Sequence, residues 1–272
     1  MSSDIKVVAL DLDGTLTNSE KKVTSATRAI IDKAREQGVK IVLASGRPHI
    51  GIKGVADELD IFDKGGYILS YNGGQILDCK SGKILLRKKI DPACFKEICE
   101  IGKKFPNVYP VTYDEVGIIG ETTDYKYVKQ EEFNCSIPSR KVDNLYEEVK
   151  HMDIVKFMVV GEHEDLEPVR EYLQEKFPYE LSIYYSELYF LEIMAPNIAK
   201  DKSLAFLLSE FGMSKENLMA CGDGLNDLPM LEYAGLSVAM ANACHEAKKA
   251  ADFITKSNNE DGVGYAIEKF VL

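Results

Sequence analysis

No run of apolar residues in this chain approaches the roughly 18 that a membrane-crossing helix needs, so no transmembrane segment is expected. Cysteines are few and scattered. The six, at 79, 94, 99, 135, 221 and 244, include no C-x-x-C pair, which argues against a zinc site or a thioredoxin-like motif. They read as reduced, mostly packing thiols of a cytoplasmic chain. The four histidines, at 49, 151, 163 and 245, have no ligand spacing and read as surface residues. Positive charge is also short: 33 Lys and Arg stand against 44 Asp and Glu, a formal net charge of −11. An acidic surface argues against nucleic acid or an anionic membrane as a main partner. It does not exclude a small anionic substrate, because a local cation reverses the field inside one pocket. There is no internal repeat and no low-complexity tract. The chain enters an apolar segment directly after Met-Ser-Ser-Asp, so no signal peptide is expected.

At 272 residues, 45% of them hydrophobic, there is material for one large domain or two. The stretch Val7-Val8-Ala9-Leu10-Asp11-Leu12-Asp13-Gly14-Thr15-Leu16 organises the rest. Its apolar run is that of a strand covered on both faces, as in a parallel sheet. The acids appear where the strand runs out, and ligands of open α/β sheets gather at the carboxyl ends of strands. Asp11 and Asp13 would repel if left bare. A magnesium ion, which takes a few carboxylates plus a phosphate, removes that repulsion. One carboxylate could then attack while the other moves a proton. The competing reading is a helix-cap or turn acid pair, since Asp-Gly is common turn chemistry.

Thr24 or Ser25 can cap a helix to Gln37, which Gly38 stops. Residues 39–44 read as a second buried strand ending in Ser45-Gly46-Arg47-Pro48. A helix over 50–59 and a strand over 67–70 follow, and Tyr71-Asn72-Gly73-Gly74 turns the chain. This alternation means a parallel sheet with helical crossovers. From 83 the grammar changes to short, semi-polar strands at 84–90, 108–113, 116–119, 155–160 and twice within 181–193, with helices from Asp91-Pro92, near 142–151 and at 166–177. That suits an antiparallel sheet with one covered face. The doubly wound pattern then returns: a helix at 203–211, a strand at 218–221 ending in Gly222-Asp223-Gly224-Leu225-Asn226-Asp227, strands at 237–240 and 253–254, and a helix at 263–270. The expected fold is α/β, a doubly wound, mostly parallel Rossmann-like core of 1–82 and 190–272, with an inserted α+β cap domain at 83–189.

Three apolar strands thus end in polar loops carrying Asp11/Asp13, Ser45/Arg47 and Asp223/Asn226/Asp227, and Lys200 lies just before a helix. Each has a plainer reading alone. Ser45 could cap the next helix, Lys200 could be a solvated surface residue, and Asp227 could cap the helix that begins near Pro229. Arg47 is either a charge beside a phosphate or a structural partner for an acid. Asn72-Gly73 reads first as a turn. Tyr113, Tyr125, Tyr127, Tyr184, Tyr185 and Tyr189 read as sheet core before pocket.

Taken together, the motifs resemble the haloacid dehalogenase superfamily, and within it the Cof-type sugar-phosphate phosphatases. D-x-D-G-T matches Asp11 to Thr15, the strand-end Ser or Thr matches Ser45, the Lys matches Lys200, and G-D-x-x-N-D matches Gly222 to Asp227. The resemblance spans the whole chain. It implies a magnesium-dependent phosphatase of a small phosphorylated metabolite, most simply a sugar phosphate. Asp11 would be the nucleophile of an aspartyl-phosphate intermediate and Asp13 the general acid/base. Mg2+ would be held by Asp11, the backbone carbonyl of Asp13 and Asp223, with Asp227 orienting bound water. Ser45, Gly46, Lys200 and Asn226 would bind the phosphoryl group, and Asn72-Gly73 would lie near the cap hinge. Asp201 and Leu225 depart from the family pattern without replacing a ligand. A phosphomutase of the phosphomannomutase type is the alternative enzyme, and a phospho-aspartate receiver or sensor is the alternative that is not an enzyme.

Overall fold

The computed structural model describes residues 4–272 and is a mixed α/β protein of two compact units. One comprises 1–86 and 199–272, and the other comprises 87–198. Among the described residues, fourteen strands run in chain order: β1 Val7–Leu10, β2 Lys40–Ala44, β3 Tyr67–Ser70, β4 Gln75–Asp78, β5 Lys83–Arg87, β6 Tyr109–Tyr113, β7 Ile118–Gly120, β8 Ser139–Lys141, β9 Lys156–Val160, β10 Ser182–Glu187, β11 Phe190–Met194, β12 Leu218–Gly222, β13 Leu236–Ala239 and β14 Phe253–Ile254.

The first unit is built on an eight-stranded sheet in the order β14-β13-β12-β1-β2-β3-β4-β5. Every pair from β14 to β3 is parallel, and β3 turns back on β4 antiparallel. β1 and β12 are buried along their whole lengths, as their uninterrupted apolar runs require. The helix Ser25–Glu36 covers this sheet with Ile31 and Ala34, and its first turn is capped by the Thr24 side chain, which accepts from the Thr27 amide at 3.1 Å.

The second unit has a six-stranded sheet in the order β10-β11-β9-β6-β7-β8, antiparallel except for β7 and β8. Its apolar cluster takes alternate strand residues, Phe157 and Val159 of β9 with Leu191 and Ile193 of β11, together with helix residues such as Phe95, Leu145 and Leu166. β8 and β10 keep the expected exposed and half-buried residues, but the interior strands β9 and β11 do not. All five residues of β9 and all five of β11 are buried, including Lys156 and Glu192, which pair at 3.0 Å.

Both expected boundaries shift. β5 belongs to the eight-stranded sheet beside β4, so the insert begins at 87, not 83. β11 pairs with β9 and β10, so the second boundary moves from 190 to 199. The helix near 142–151 is only Leu145–Val149, started by the Asn144 side chain. The helix Lys126–Cys135 and the strands β4 and β8 had no counterpart in the sequence reading. No helix among the described residues is long and apolar enough to cross a membrane.

Candidate active site

Parallel strands of one sheet bring their carboxyl ends to one edge. Asp11 directly follows β1, Ser45 follows β2 and Asp223 follows β12, and β12, β1 and β2 are direct neighbours. The residues meet there. The Lys200 ammonium donates to Asp11 Oδ1 at 2.7 Å, to Asp227 Oδ1 at 2.6 Å and to the Ala44 carbonyl at 2.9 Å. Lys200 is the first residue of the helix Lys200–Glu210, and its side chain is fully buried. The surface alternative for this lysine is thereby set aside.

The Asp227 Oδ2 accepts the amides of Asp223 at 2.9 Å and Gly224 at 3.0 Å, so this carboxylate folds its own loop as well as receiving Lys200. The Thr15 hydroxyl donates to Asp223 Oδ1 at 2.8 Å. Gly14 must be glycine: its φ is +78°, and a Cβ there would lie 2.3 Å from Asp223 Oδ2.

Asp11, Asp223 and Asp227 each bring a carboxylate oxygen within 4.8 Å of the others. One ammonium against three acids leaves the cluster short of positive charge. Burial, with Asp227 adding to it against the pull of Lys200, pushes Asp11 up to about 8. Burial likewise pushes Asp223 up to about 6, the Thr15 hydrogen bond opposing. Burial alone would lower Lys200, but Asp11 and Asp227 hold it above its ordinary value. Hard oxygen donors in such excess of negative charge are the set that a divalent cation such as Mg2+ takes.

The carboxylate of Asp13 is committed elsewhere. Arg47 grips it with Nε to Oδ2 at 2.8 Å and Nη2 to Oδ1 at 2.6 Å, and Lys21 donates to Oδ1 at 2.5 Å. Burial acts to raise Asp13, but these two cations prevail and hold it below the ordinary carboxylate value. Ser45 is buried, and its hydroxyl accepts the Arg47 amide at 3.2 Å, while Pro48 occupies the cap position of the next helix. Asn226 is exposed and donates to Asn72 Oδ1 at 3.4 Å. The Asn72 amide group also stands beside Gly46, where a Cβ would approach it to 3.1 Å. Asn72 is thus at the site, held in the left-handed region at φ 51°.

Sequence reasoning missed Lys21 and Thr15 as partners. Thr15 lay inside the quoted motif, but nothing in the local pattern marked Lys21.

The family model for haloacid dehalogenase-like hydrolases matches residues 8–267, and the chain belongs to that family. A solved haloacid dehalogenase-like hydrolase from Bacteroides thetaiotaomicron is 39% identical, with a TM-score of 0.93 over 97% of this chain and 99% of that one. The 5-amino-6-(5-phospho-D-ribitylamino)uracil phosphatase YcsE of Bacillus subtilis is 32% identical over 99% of this chain and 97% of its own length. A structure described as the subclass IIB sugar phosphatase BT4131 is 25% identical, with a TM-score of 0.78 over 97% of this chain and 98% of that one.

Proposed function

We propose that this chain, a phosphoric monoester hydrolase of the haloacid dehalogenase-like family, removes phosphate from a small sugar phosphate with Mg2+ as its cofactor. The observation that carries the reading is the meeting of Asp11, Asp227 and Lys200 at 2.7 and 2.6 Å, from three remote parts of the chain. Two relatives support the substrate class. One is named for a phosphoribitylamino compound and one is described as a sugar phosphatase, so both names point to a phosphate ester on a sugar-derived carbon chain.

In this mechanism Asp11 attacks phosphorus and forms an aspartyl-phosphate, and the ester oxygen leaves. Asp13, held below the ordinary carboxylate value by Arg47 and Lys21, must first take up a proton from solvent to give to that oxygen, and then takes one from the water that hydrolyses the intermediate. Lys200 fixes the rotamer of Asp11 and faces the transferring charge, joined by Ser45, the backbone at Gly46 and Asn226. Phosphoryl transfer is mostly positioning and charge neutralisation, so these donors supply what it demands. Asp11, Asp223 and the Asp13 carbonyl would hold Mg2+, with Asp227 behind them, and the cation supplies neutralising charge when bound. A cytoplasmic location belongs to the same proposal. It is supported by six cysteines that form no disulfide, five of them buried.

The test is a phosphate-release screen over sugar phosphates, nucleotides and cofactor phosphates, with Mg2+ and with chelator. Sugar phosphates should give the signal, Mg2+ should be required, and Asp11→Asn should abolish release. Release only from nucleotides or pyridoxal phosphate would sink the substrate class. Isomerised sugar phosphate without free phosphate would make the chain a mutase.

A further inference from the structure

β13 runs parallel between β12 and β14, so its carboxyl end opens on the edge that carries Asp11 and Asp223. The segment that follows it, Met240 to Cys244, brings no acid and no cation, yet it touches both acid loops. The Cys244 amide donates to the Asp223 carbonyl at 2.9 Å. The Asn242 side chain donates from Nδ2 to the Gly14 carbonyl at 2.7 Å, across 228 residues of sequence.

Asn242 is held at its other end too. Its Oδ1 accepts the Asn258 backbone amide at 3.0 Å. One partner is a carbonyl and the other an N–H, so only one orientation of the side-chain amide satisfies both. Asn258 in turn donates from Nδ2 to the Thr17 carbonyl at 2.9 Å. Asn259 accepts the Ser19 amide and donates to the Ser19 hydroxyl, both at 2.9 Å. Asparagines from two loops thus grip residues 14, 17 and 19.

The gripped stretch is the turn that carries Asp13, closed by a bridge between Asp13 and Thr17. Gly14 reverses the chain there at φ +78°. A glycine has the widest choice of backbone angles, so the direction of this turn must be set from outside. The Thr15 hydroxyl on Asp223 sets one side of it. No backbone amide among the described residues donates to the Gly14 carbonyl, which leaves the Asn242 side chain to set the other. Lys21, which donates to Asp13, follows Ser19 by two residues. The bonds of Asn242 are exposed. Water would serve each group if they parted, so they add little to the stability of the fold. Their effect is on position, and at a reacting centre an error of about 1 Å can cost a hundredfold in rate.

We propose that Asn242 is a positioning residue for catalysis: by fixing the Gly14 carbonyl, it sets where the carbonyl and the carboxyl group of Asp13 point. The inference rests on the phosphatase reading and deepens it.

Asn242→Ala tests it, with Asn217→Ala as the matched control. Asn217 makes the same kind of bond, from Nδ2 to the Asp4 carbonyl at 3.0 Å, but it precedes β12 and lies at the opposite edge of the sheet. Three quantities are measured on the full chain: Mg2+ affinity by calorimetric titration, turnover of p-nitrophenyl phosphate, and melting without metal. Asn242→Ala should weaken Mg2+ binding about three- to tenfold and lower kcat about five- to fiftyfold, with KM within about twofold of the parent. Its metal-free melting temperature should stay within about 3 °C of the parent. Asn217→Ala should match the parent in Mg2+ affinity and in kcat. Parent-like affinity and kcat in Asn242→Ala would overturn the proposal and leave the phosphatase reading standing. Equal losses in Asn217→Ala, or a larger drop in the melting temperature of Asn242→Ala, would make Asn242 a support of the fold alone and overturn the proposal as well. Mg2+ binding without phosphate release would sink the phosphatase reading, while affinity still decides on Asn242. Release without measurable Mg2+ binding would leave that decision to kcat, and a parent chain that shows neither would overturn both.

Discussion

Arg47 holds Asp13 side-on, with Nε on one carboxylate oxygen at 2.8 Å and Nη2 on the other at 2.6 Å. The sequence left Arg47 between two roles, and the geometry makes it the partner of an acid. A bidentate pair fixes a carboxylate in a plane, which a single contact does not. Arg47 is anchored in turn by the Gly51 carbonyl at 3.1 Å, so the grip is part of the loop after β2. Under the proposed mechanism Arg47 would be a positioning residue for the proton that Asp13 moves.

Arg47→Lys keeps the charge and removes the fork. Proton transfer of this kind is worth about 10²–10⁴-fold, and losing the alignment should forfeit roughly ten- to a hundredfold of kcat. The loss should be large with an alkyl phosphate, whose leaving oxygen needs the proton. It should be small with p-nitrophenyl phosphate, whose leaving group does not. Equal losses on both esters would show that Arg47 acts on the fold or the phosphate, not through Asp13.

Lys200→Met removes the one ammonium that faces both Asp11 and Asp227. Breaking a buried ion pair by deleting one partner costs about 3–5 kcal/mol, because the remaining charges are stranded. Thermal melts of the metal-free chain should show a drop of that order. Unchanged melting would mean that the cluster is hydrated and that its acids do not depend on Lys200.

Much of this edge was legible beforehand, for a physical reason. β1, β2 and β12 are central strands buried on both faces, so their apolar runs are uninterrupted and the first polar residues fall at their carboxyl ends. The insert was harder to read. Helix Lys126–Cys135 buries only Val128, Glu131 and Cys135, which makes no apolar stripe, and Glu131 is held by the Tyr113 hydroxyl at 2.7 Å. β11 resembles a core strand because all its residues are buried, although its partners are β9 and β10. Pairings such as Lys21 with Asp13 depend on a turn through a left-handed residue, Lys21 at φ 61°, which local composition does not encode.

Mg2+ should raise the melting temperature, because a ligand bound only by the native state stabilises it by about 2.7 kcal/mol at a hundred times its dissociation constant. The effect should vanish in Asp223→Asn, which removes a carboxylate from the cluster of three. Ca2+, larger and less strict in geometry, should stabilise without supporting turnover. A melting temperature indifferent to Mg2+ in the parent chain would count against the cation.

Acid stability of the insert should turn on Glu97. Burial acts to raise this carboxyl, but hydrogen bonds from Lys104, Lys176 and Tyr172 overcome it and bring it down to about 2, against an ordinary 4.5. A carboxylate lowered in the folded state contributes stability above its unfolded value and loses it as pH falls through the folded one. Stability should therefore drop as pH goes from about 4.5 towards 2. Lys104 and Lys176 are each 41% exposed, so solvent screening limits the contribution to about 1–2 kcal/mol. Glu97→Gln should melt lower than the parent at pH 7, and the gap should close as the pH falls. A gap of constant size across that range would show that the three partners act by packing, without regard to the charge on Glu97.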